Sequence, residues 1–472
     1  MTDRADAWPV GPSTAVPVGP STDARHRPPR RDEAPRVNAR GPWAAGAPAA
    51  DGADGAVGDG ANGAVGDGAD ELETQFAAAW AELGRIGRSP AGGFDRFAWT
   101  DADLELRDWF TRAALRRGLA VEADRNGNLW AWWGGPGDAA VVTGSHLDSV
   151  PGGGAFDGPL GVVGGLLAID ELRRRHGSVP RRPLAVVVFS DEEGARFGVA
   201  CVGSRLLTGS LDPDRARQLT DARGTTLADA MRRAGADPDL LGPDDELLAR
   251  VAAFVELHIE QGRGLVDRDA PVGVATAIWP HGRWRFRFDG EPDHAGTAGL
   301  ADRHDPMLPF AAAVGAARAT AADLGCLCTF GKALVHPNAA NGVAASIEAW
   351  LDARAADEAT LSAAVDEVRL AARAAADDHG VTVLCEAESL TPPVRFDAGL
   401  RRVIGSVLGA VPELPTGAGH DAGILSARLP TAMLFARNPT GVSHSPAEWA
   451  TPGDCIAGVR ALVAVLEELV WR

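Results

Sequence analysis

Residues 144–151 spell GSHLDSVP and directly follow a short apolar run, Ala139–Thr143. The run is β-branched and closed by glycine, which predicts a buried strand with His146 and Asp148 at its carboxyl end. Open α/β sheets bind ligands and metals at that edge. Because alternate residues of an extended segment point the same way, the Asp148 carboxylate could orient the His146 ring. Taken alone, the stretch fits a polar surface turn equally well.

A second acidic loop follows a second predicted strand. This strand covers residues 183–190 and leads into DEEG at residues 191–194, while a glycine-rich loop returns Asp157 toward the first strand end. Adjacent carboxylates repel one another unless a positive charge lies among them. A solvated turn is therefore the simpler interpretation of residues 191–194 alone. Carboxylates at two strand ends favour a shared cation site instead.

The composition limits the classes of function. The chain has 472 residues, of which 45% are hydrophobic, and a net charge of -18. This length favours two domains, and the negative charge argues against a nucleic-acid or anionic-membrane partner. The five cysteines lack C-x-x-C spacing, which predicts free thiols in a reducing compartment. No segment has the pattern of a transmembrane helix or a signal peptide, so we predict a cytoplasmic protein.

Periodicity and composition divide the chain into three parts. Residues 1–70 are rich in Pro, Gly, Ala and Asp and predict a disordered low-complexity tail. Residues 71–275 plus 389–472 predict an α/β domain. Residues 276–388 have the order strand-helix-strand-strand-helix-strand, which predicts an inserted ferredoxin-like α+β sandwich.

Apolar spacing also predicts individual elements. The predicted helices begin near residue 71 and cover 101–117, 158–175, 244–262, 306–322, 357–376 and 451–470. The predicted strands flank a turn at 126–128 and cover 183–190, 343–352, 381–385 and 431–436. His258 falls near the end of a predicted helix, where a histidine more often complements the helix dipole than binds a metal. His444 follows the last predicted strand.

Five side chains could meet at one sheet edge. They are His146, Asp157, Glu193, His258 and His444. Two three-coordinate sets that share one carboxylate would form a dinuclear site able to activate water near neutral pH. The chain has no H-E-x-x-H helix and no G-x-S-x-G turn, which argues against a thermolysin-type site and a serine hydrolase.

Taken in order, the motifs resemble the amidase/hydantoinase/carbamoylase branch of the dinuclear-zinc aminoacylase and carboxypeptidase superfamily. The resemblance spans about residues 72–472. Its motifs are residues 144–150, 153–158, 191–194, 256–262 (ELHIEQG), 294–297 (HAGT), 419–422 (GHDA) and 443–446 (SHSP). The resemblance implies an α/β, aminoacylase/carboxypeptidase-like catalytic domain with an inserted lid and dimerisation domain.

The resemblance also implies a ligand set for each of two divalent ions. One ion would be held by His146, Asp157 and His258, and the other by Asp157, Glu193 and His444. Asp157 would bridge them. Mixed histidine and carboxylate ligands suit zinc or manganese, with cobalt or nickel also possible.

Catalytic roles follow from the same resemblance. Glu192 matches the general base that moves a proton from water to the leaving nitrogen. Asp148 would orient His146, and His294 matches a histidine that polarises the scissile carbonyl. After residues 294–297 the family usually continues Thr-Pro-Met, whereas this chain has Ala-Gly-Leu. This departure predicts that the next helix begins differently from that of the family.

Substrate contacts are implied at Gln261, His294, Asn341 and Arg354. A guanidinium suits the substrate carboxylate. Arg354 also lies close to Asp352 in the sequence, so an ordinary salt bridge is the alternative for this residue.

The implied protein is a homodimeric, metal-dependent hydrolase that cleaves a linear ureido or carbamoyl C–N bond in a small carboxylate. Allantoate is the first candidate substrate. N-carbamoyl-L-amino acids and 3-ureidopropionate are alternatives, because shared motifs specify a reaction and not a side-chain pocket. The histidine in HIEQG argues against a peptidase or aminoacylase of the wider superfamily. A non-catalytic binding protein on this fold would be expected to lack a ligand or the base.

Overall fold

The computed structural model describes residues 67–177 and 179–472. Most of the predicted tail, residues 1–66, lies outside these ranges. In the first part of the chain the elements are α1 (Asp67–Leu83), α2 (Asp101–Arg116), β1 (Ala120–Ala123), β2 (Leu129–Trp133), β3 (Ala140–His146), α3 (Pro159–His176), β4 (Leu184–Phe189), α4 (Val202–Thr208), α5 (Pro213–Gln218), α6 (Leu227–Arg233), α7 (Asp245–Ala249), β5 (Val251–Ile259) and β6 (Val272–Ile278).

The middle of the chain forms β7 (His281–Asp289), β8 (Asp293–His294), α8 (Met307–Leu324), β9 (Leu327–His336), β10 (Gly342–Val343), β11 (Ser346–Arg354), α9 (Glu358–Asp378) and β12 (Thr382–Thr391). The last part forms β13 (Val394–Arg395), α10 (Ala398–Leu408), β14 (Glu413–Thr416), α11 (Asp421–Leu425), β15 (Thr431–Ala436) and α12 (Pro452–Trp471).

The large sheet has the strand order β1-β2-β4-β3-β5-β15-β6-β13, with β14 beside β6. Its four central strands, β4, β3, β5 and β15, run parallel. In their register His146 lies opposite Phe189, and His258 lies opposite Phe435. The carboxyl ends of four strands therefore meet at one edge, where α/β sheets bind their ligands.

The central strands are apolar on both faces because helices cover both sides. Every residue of β3, β4 and β15 is buried, as is usual for parallel strands. Helix α3 packs directly on β5, and a Cβ at Gly161 would overlap the carbonyl oxygen of Leu257. The predicted glycine-containing helix under the sheet is confirmed.

A second, antiparallel sheet has the order β12-β7-β11-β9. Helices α8 and α9 cover its apolar face, where Phe286, Phe288 and Ile347 are buried. Arg285 and Arg287 alternate with these phenylalanines and ion-pair with glutamates on the other face. The predicted α+β sandwich order is confirmed, although β9 was not among the predicted strands. Its boundaries as a separate lid domain, residues 276–388, stay a prediction.

The helix predicted over residues 244–262 is wrong. Helix α7 ends at Ala249, and Val251–Ile259 is the central strand β5. A strand buried on both faces shows no polar alternation, so its apolar run also fits helical spacing. His258 therefore occupies the end of a parallel strand, as His146 does.

The structure also describes the cysteines and the helices on which a membrane span would depend. All five cysteines are free. In the described ranges, no helix combines the length and the apolar character that a membrane span requires.

Candidate metal centre

Two histidines at strand ends face one aspartate. The Nε2 atoms of His146 and His258 lie 3.6 Å and 3.2 Å from Asp157 Oδ1. Both Nε2 atoms are buried and have no hydrogen-bond partner among the described residues. The Nδ1 atoms of these rings contact the carbonyl oxygens of Asp148 at 3.1 Å and Ile259 at 2.9 Å. Because a carbonyl only accepts, each Nδ1 carries a proton, which leaves each Nε2 as the atom that can bind a cation.

A second group of side chains uses the other oxygen of the same aspartate. His444 Nε2 lies 3.4 Å from Asp157 Oδ2 and 3.4 Å from Glu193 Oε2. Asp157 thus offers Oδ1 to one group and Oδ2 to the other, which is the arrangement a bridging ligand needs. His444 sits on a loop with a positive φ of 54°.

The donors fit two divalent cations. Within each group the ligand atoms lie within 4.8 Å of one another. Imidazole and carboxylate donors suit first-row divalent metals, and the orphaned histidine nitrogens would gain the partners that they lack. These are the five side chains that the resemblance implied. A third group, Glu256, His258 and His420, also satisfies the distance and shares His258 with the first.

Negative charge is concentrated around Asp157. Burial opposes its ionisation, but the three histidines that face it outweigh burial and hold the pKa of Asp157 well below its usual range. Burial, together with the charge of Asp157, raises the pKa of Glu193 to about 7. The hydrogen bond to Asp157 is the main reason that the pKa of His444 rises to about 9. Bound cations would take the place of these protons.

The predicted base lies beside the first ligand group. Glu192 Oε2 is 3.7 Å from His146 Nε2, and Cys201 Sγ donates to Glu192 Oε1 at 3.5 Å. The Asp148 carboxylate accepts the main-chain N–H groups of Glu192 at 3.2 Å and Glu193 at 3.0 Å. It lies 3.6 Å from His146 Nδ1, whose hydrogen bond goes to the main-chain carbonyl. Asp148 therefore fixes the position of the acidic loop relative to the end of β3.

A cavity of about 810 Å³ opens onto these groups. Gln261 lines it and donates from Nε2 to Asp157 Oδ2 at 2.8 Å, while its Oε1 atom has no partner in the described part of the chain. Arg354 lines the wall, but its guanidinium donates to Asp352 at 2.7 and 3.2 Å and to the carbonyl oxygen of Gly417 at 2.6 Å. The salt bridge weighed as the alternative for Arg354 is present.

The structure does not bring His294 and Asn341 to this cavity. Both residues are exposed and neither lines it. They adjoin one another where β8 pairs with β10, because Ala295 N donates to Asn341 O at 3.0 Å. For these two residues to contact the substrate as predicted, the inserted segment would have to move toward the cavity, or a second subunit would have to provide its own copies of them.

Sequence reasoning missed Glu448. This buried carboxylate accepts the main-chain N–H groups of Phe156 at 2.9 Å and Asp157 at 3.1 Å, and the Ser443 hydroxyl at 3.3 Å. A side chain at Gly154 would overlap its carboxyl group. Glu448 therefore joins the loop of the shared ligand to the loop of His444. Only its place four residues after His444 could have suggested this role.

His420 was also missed, although it stands in the quoted GHDA motif. The ring is buried, lines the cavity and packs 4.5 Å from the His258 ring, centroid to centroid. Its Nε2 has no partner among the described residues. Burial, reinforced by the charge of His258, holds the pKa of His420 well below its usual value, so this ring is neutral.

Comparison with known proteins agrees with this geometry. Residues 142–468 match the family described as "Peptidase family M20/M25/M40". The chain belongs to this family. It is 37% identical to an N-carbamoyl-L-amino acid amidohydrolase of Geobacillus stearothermophilus, over 83% of this chain and 96% of the relative. It is 32% identical to an allantoate amidohydrolase of Escherichia coli, with coverage of 83% and 96%.

A solved structure is similar over the same region. It is an amidase of the hydantoinase/carbamoylase family from Burkholderia vietnamiensis, with a TM-score of 0.76 and 30% identity over 85% of this chain and 98% of that one. The branch of the family that the sequence motifs indicated is therefore confirmed. The chain is a hydrolase of carbon–nitrogen bonds other than peptide bonds.

Proposed function

We propose that this protein hydrolyses the ureido or carbamoyl C–N bond of a small carboxylate substrate and uses two divalent cations. One observation carries the proposal. Asp157 presents one oxygen to His146 and His258 and the other to His444, with Glu192 at the same cavity. This is the layout of a bridged site with an adjacent proton carrier.

When bound, the cations would supply Lewis acidity to the scissile carbonyl and make water a stronger acid. Glu192 would accept a proton from the attacking water and deliver it to the leaving nitrogen. Burial is the main reason that its pKa lies well above the usual value. A carboxyl group with a raised pKa can both take and release a proton near neutral pH. The Cys201 thiol and the loop held by Asp148 keep Glu192 in place.

Substrate contacts would come from both parts of the molecule. The unpartnered Oε1 of Gln261 can accept an N–H of the ureido group. We propose that closure of the inserted segment brings His294 and Asn341 to the centre, and that Arg354 then engages the substrate carboxylate. This closure would account for the exposure of both residues in the present arrangement.

We further propose a homodimer formed through the inserted segment. Strand β9 lies at the edge of the four-stranded sheet, and an exposed edge is a ready site for strand pairing. The nearby exposed apolar side chains are Leu327 and Leu334 on β9 and Met307, Leu308 and Val314 on α8. The five free thiols agree with the cytoplasmic location that we also propose.

Allantoate and N-carbamoyl-L-amino acids are the two leading substrates, because relatives of both names cover nearly the whole described chain. 3-Ureidopropionate is the third. The test is ammonia release from each compound, with zinc or manganese and then with a chelator. We expect turnover of at least one compound and its loss with the chelator. No turnover of any ureido acid by the metal-loaded protein would refute the proposal.

Two variants separate an enzyme from a binding protein on the same fold. Glu192→Gln should lose about 100- to 10,000-fold in kcat, the usual contribution of a general base, and keep its metal content. Asp157→Ala should lose both ions, as measured by elemental analysis. A binding protein would be indifferent to Glu192→Gln, and the presence of the base and all five ligands supports the enzyme.

A further inference from the structure

Three arginines line the catalytic cavity without an ion-pair partner. They are Arg205 on α4, Arg215 on α5 and Arg283 on β7. Within residues 67–177 and 179–472, none has a carboxylate within salt-bridge distance, and the one side-chain hydrogen bond recorded for the three joins Arg205 Nε to Ala200 O at 3.0 Å. Asp352 and Glu388 also line this cavity, so the absence of an ion pair at the three arginines among the described residues is informative.

Two acidic side chains that line the cavity are already engaged. Asp352 lies directly opposite Arg283 in the pairing of β11 with β7, yet its carboxylate binds Arg354. Glu388 accepts the Trp350 indole N–H at 2.9 Å. These carboxylates therefore leave the three guanidinium groups available to a ligand.

Positive charge also reaches His281, at the start of β7 on the same wall. Burial lowers the pKa of this histidine, and the charges of Arg354 and Arg205 lower it further against the opposing charge of Asp352. Cations from α4 and from the inserted sheet thus act on one point of the cavity. A part of a cavity wall that carries several cations attracts anionic ligands.

The cavity is also larger than a minimal substrate requires. Its volume is about 810 Å³, near the upper end of the range for small-molecule sites. A ureido group and one carboxylate at Gln261 and Arg354 would leave the arginine-lined wall uncovered. Guanidinium groups favour carboxylates through paired, charge-assisted hydrogen bonds.

We propose that Arg205, Arg215 and Arg283 form a subsite for a second carboxylate of the substrate, which assigns the enzyme to N-carbamoyl amino acids with acidic side chains. The inference rests on the proposed function and narrows it. In this proposal the three arginines determine substrate specificity, and none of them is a metal ligand.

The test compares two isosteric substrates, N-carbamoyl-L-glutamate and N-carbamoyl-L-glutamine. We expect kcat/KM of the metal-loaded wild type to favour the glutamate compound by at least about tenfold, the effect of one hydrogen bond between charged groups. Arg283→Gln should remove most of this preference by lowering kcat/KM for the glutamate compound, and should leave the glutamine compound within about twofold. Arg402→Gln is the matched control, because Arg402 is exposed on α10 and lies outside the cavity.

Other outcomes have distinct meanings. Equal kcat/KM for the two compounds, or an equal loss for both in Arg283→Gln, would overturn the subsite and leave the proposed function intact. If neither compound nor any other ureido acid is hydrolysed, the proposed function fails. Calorimetric titration of the same two compounds into metal-loaded Glu192→Gln then tests the subsite by binding alone. Tighter binding of the glutamate compound, weakened by Arg283→Gln, would support the subsite. Equal binding would overturn it.

Discussion

The two halves of the candidate metal centre differ in how the fold supports them. His146 and His258 project from neighbouring parallel strands, and their side chains are 1% and 0% exposed. His444 projects from a loop, and its side chain is 50% exposed. One half therefore forms with the core of the large sheet, while the other also depends on the loop of His444.

One site can therefore combine a rigid ligand pair on strands with an adaptable ligand on a loop. Strand register fixes the first ligand pair before any cation binds, so little ordering remains to oppose binding. The second group needs the loop of His444 to hold a positive φ of 54°, which is unusual for a non-glycine residue. We infer that the first group binds its cation more tightly.

Removal of one histidine from each half should have the largest effect. His258→Ala leaves a buried cavity and should lower the free energy of unfolding of the metal-free protein by about 2–4 kcal/mol. His444→Ala removes a half-exposed ring and should change it by less than about 1 kcal/mol. Urea denaturation of both metal-free variants measures this.

Metal retention in the same two variants compares how tightly the two ligand groups hold their cations. Each variant should keep at most one cation. The cation left in His444→Ala should resist a chelator for longer, because its ligands are buried. Equal release rates, followed with a chromogenic chelator, would contradict the assignment of a tighter half.

Glu448 offers a smaller perturbation, directed at the second half. Glu448→Ala frees the loops of Asp157 and His444 from one another, and we expect the affinity for the second cation to fall about 10- to 100-fold. Glu448→Gln should restore most of it, because an amide oxygen can still accept the two main-chain N–H groups. Calorimetric metal titration gives both affinities.

The matched control for Glu448 is Asp124→Ala. Asp124 accepts the main-chain N–H groups of Asn126 at 2.9 Å and Asn128 at 3.0 Å on the turn between β1 and β2, outside the cavity. Its removal should lower stability and leave both metal affinities unchanged. A similar loss of metal affinity in both alanine variants would show that Glu448 acts only through general stability.

The smallest expected effect is a pH dependence of stability without metal. The pKa values of Glu193 and Glu448 are raised, chiefly by burial, to about 7 from 4.5. The pKa of His444 is raised to about 9 from 6.5, chiefly by its hydrogen bond to Asp157. The folded metal-free protein thus binds more protons than the unfolded chain, and its stability should fall as pH rises from about 4.5 through 9.

Thermal denaturation at several pH values, with metal and with a chelator, checks this expectation. In the loaded protein the cations replace the protons, so its Tm should decline less over the same range. The difference between the two Tm values should therefore widen toward high pH. Parallel Tm profiles would contradict it.

Sequence patterns predicted most of this molecule because its turns and strands carry local signals. Glycine and β-branched residues mark β3 and β4, and the order of strands and helices marks the inserted sandwich. The segment of β5 lacked such a signal, since burial on both faces removes the contrast that distinguishes a strand from a helix. Even so, the placement of His258 beside His146 was anticipated through the motif resemblance.

The contacts that sequence could not predict involve main-chain groups or long-range pairing. Glu448 binds amides of residues 156 and 157, which have no side-chain signature. Arg354 binds a carbonyl group of residue 417 in addition to Asp352, the partner that the sequence offered as an alternative, so the predicted substrate contact depends on a rearrangement. The exposure of His294 and Asn341 depends on the position of the inserted segment, which no local pattern specifies.

Part of the cavity wall comes from different elements than the candidate metal ligands do. Helices α4 and α5 and the inserted sheet build this part, whereas the candidate ligands follow strands and loops of the large sheet. Evolution can therefore remodel substrate choice without disturbing the metal chemistry. The named relatives agree with this division, since one is an N-carbamoyl-L-amino acid amidohydrolase and another an allantoate amidohydrolase. A library confined to the wall residues would search for new substrates in the same way.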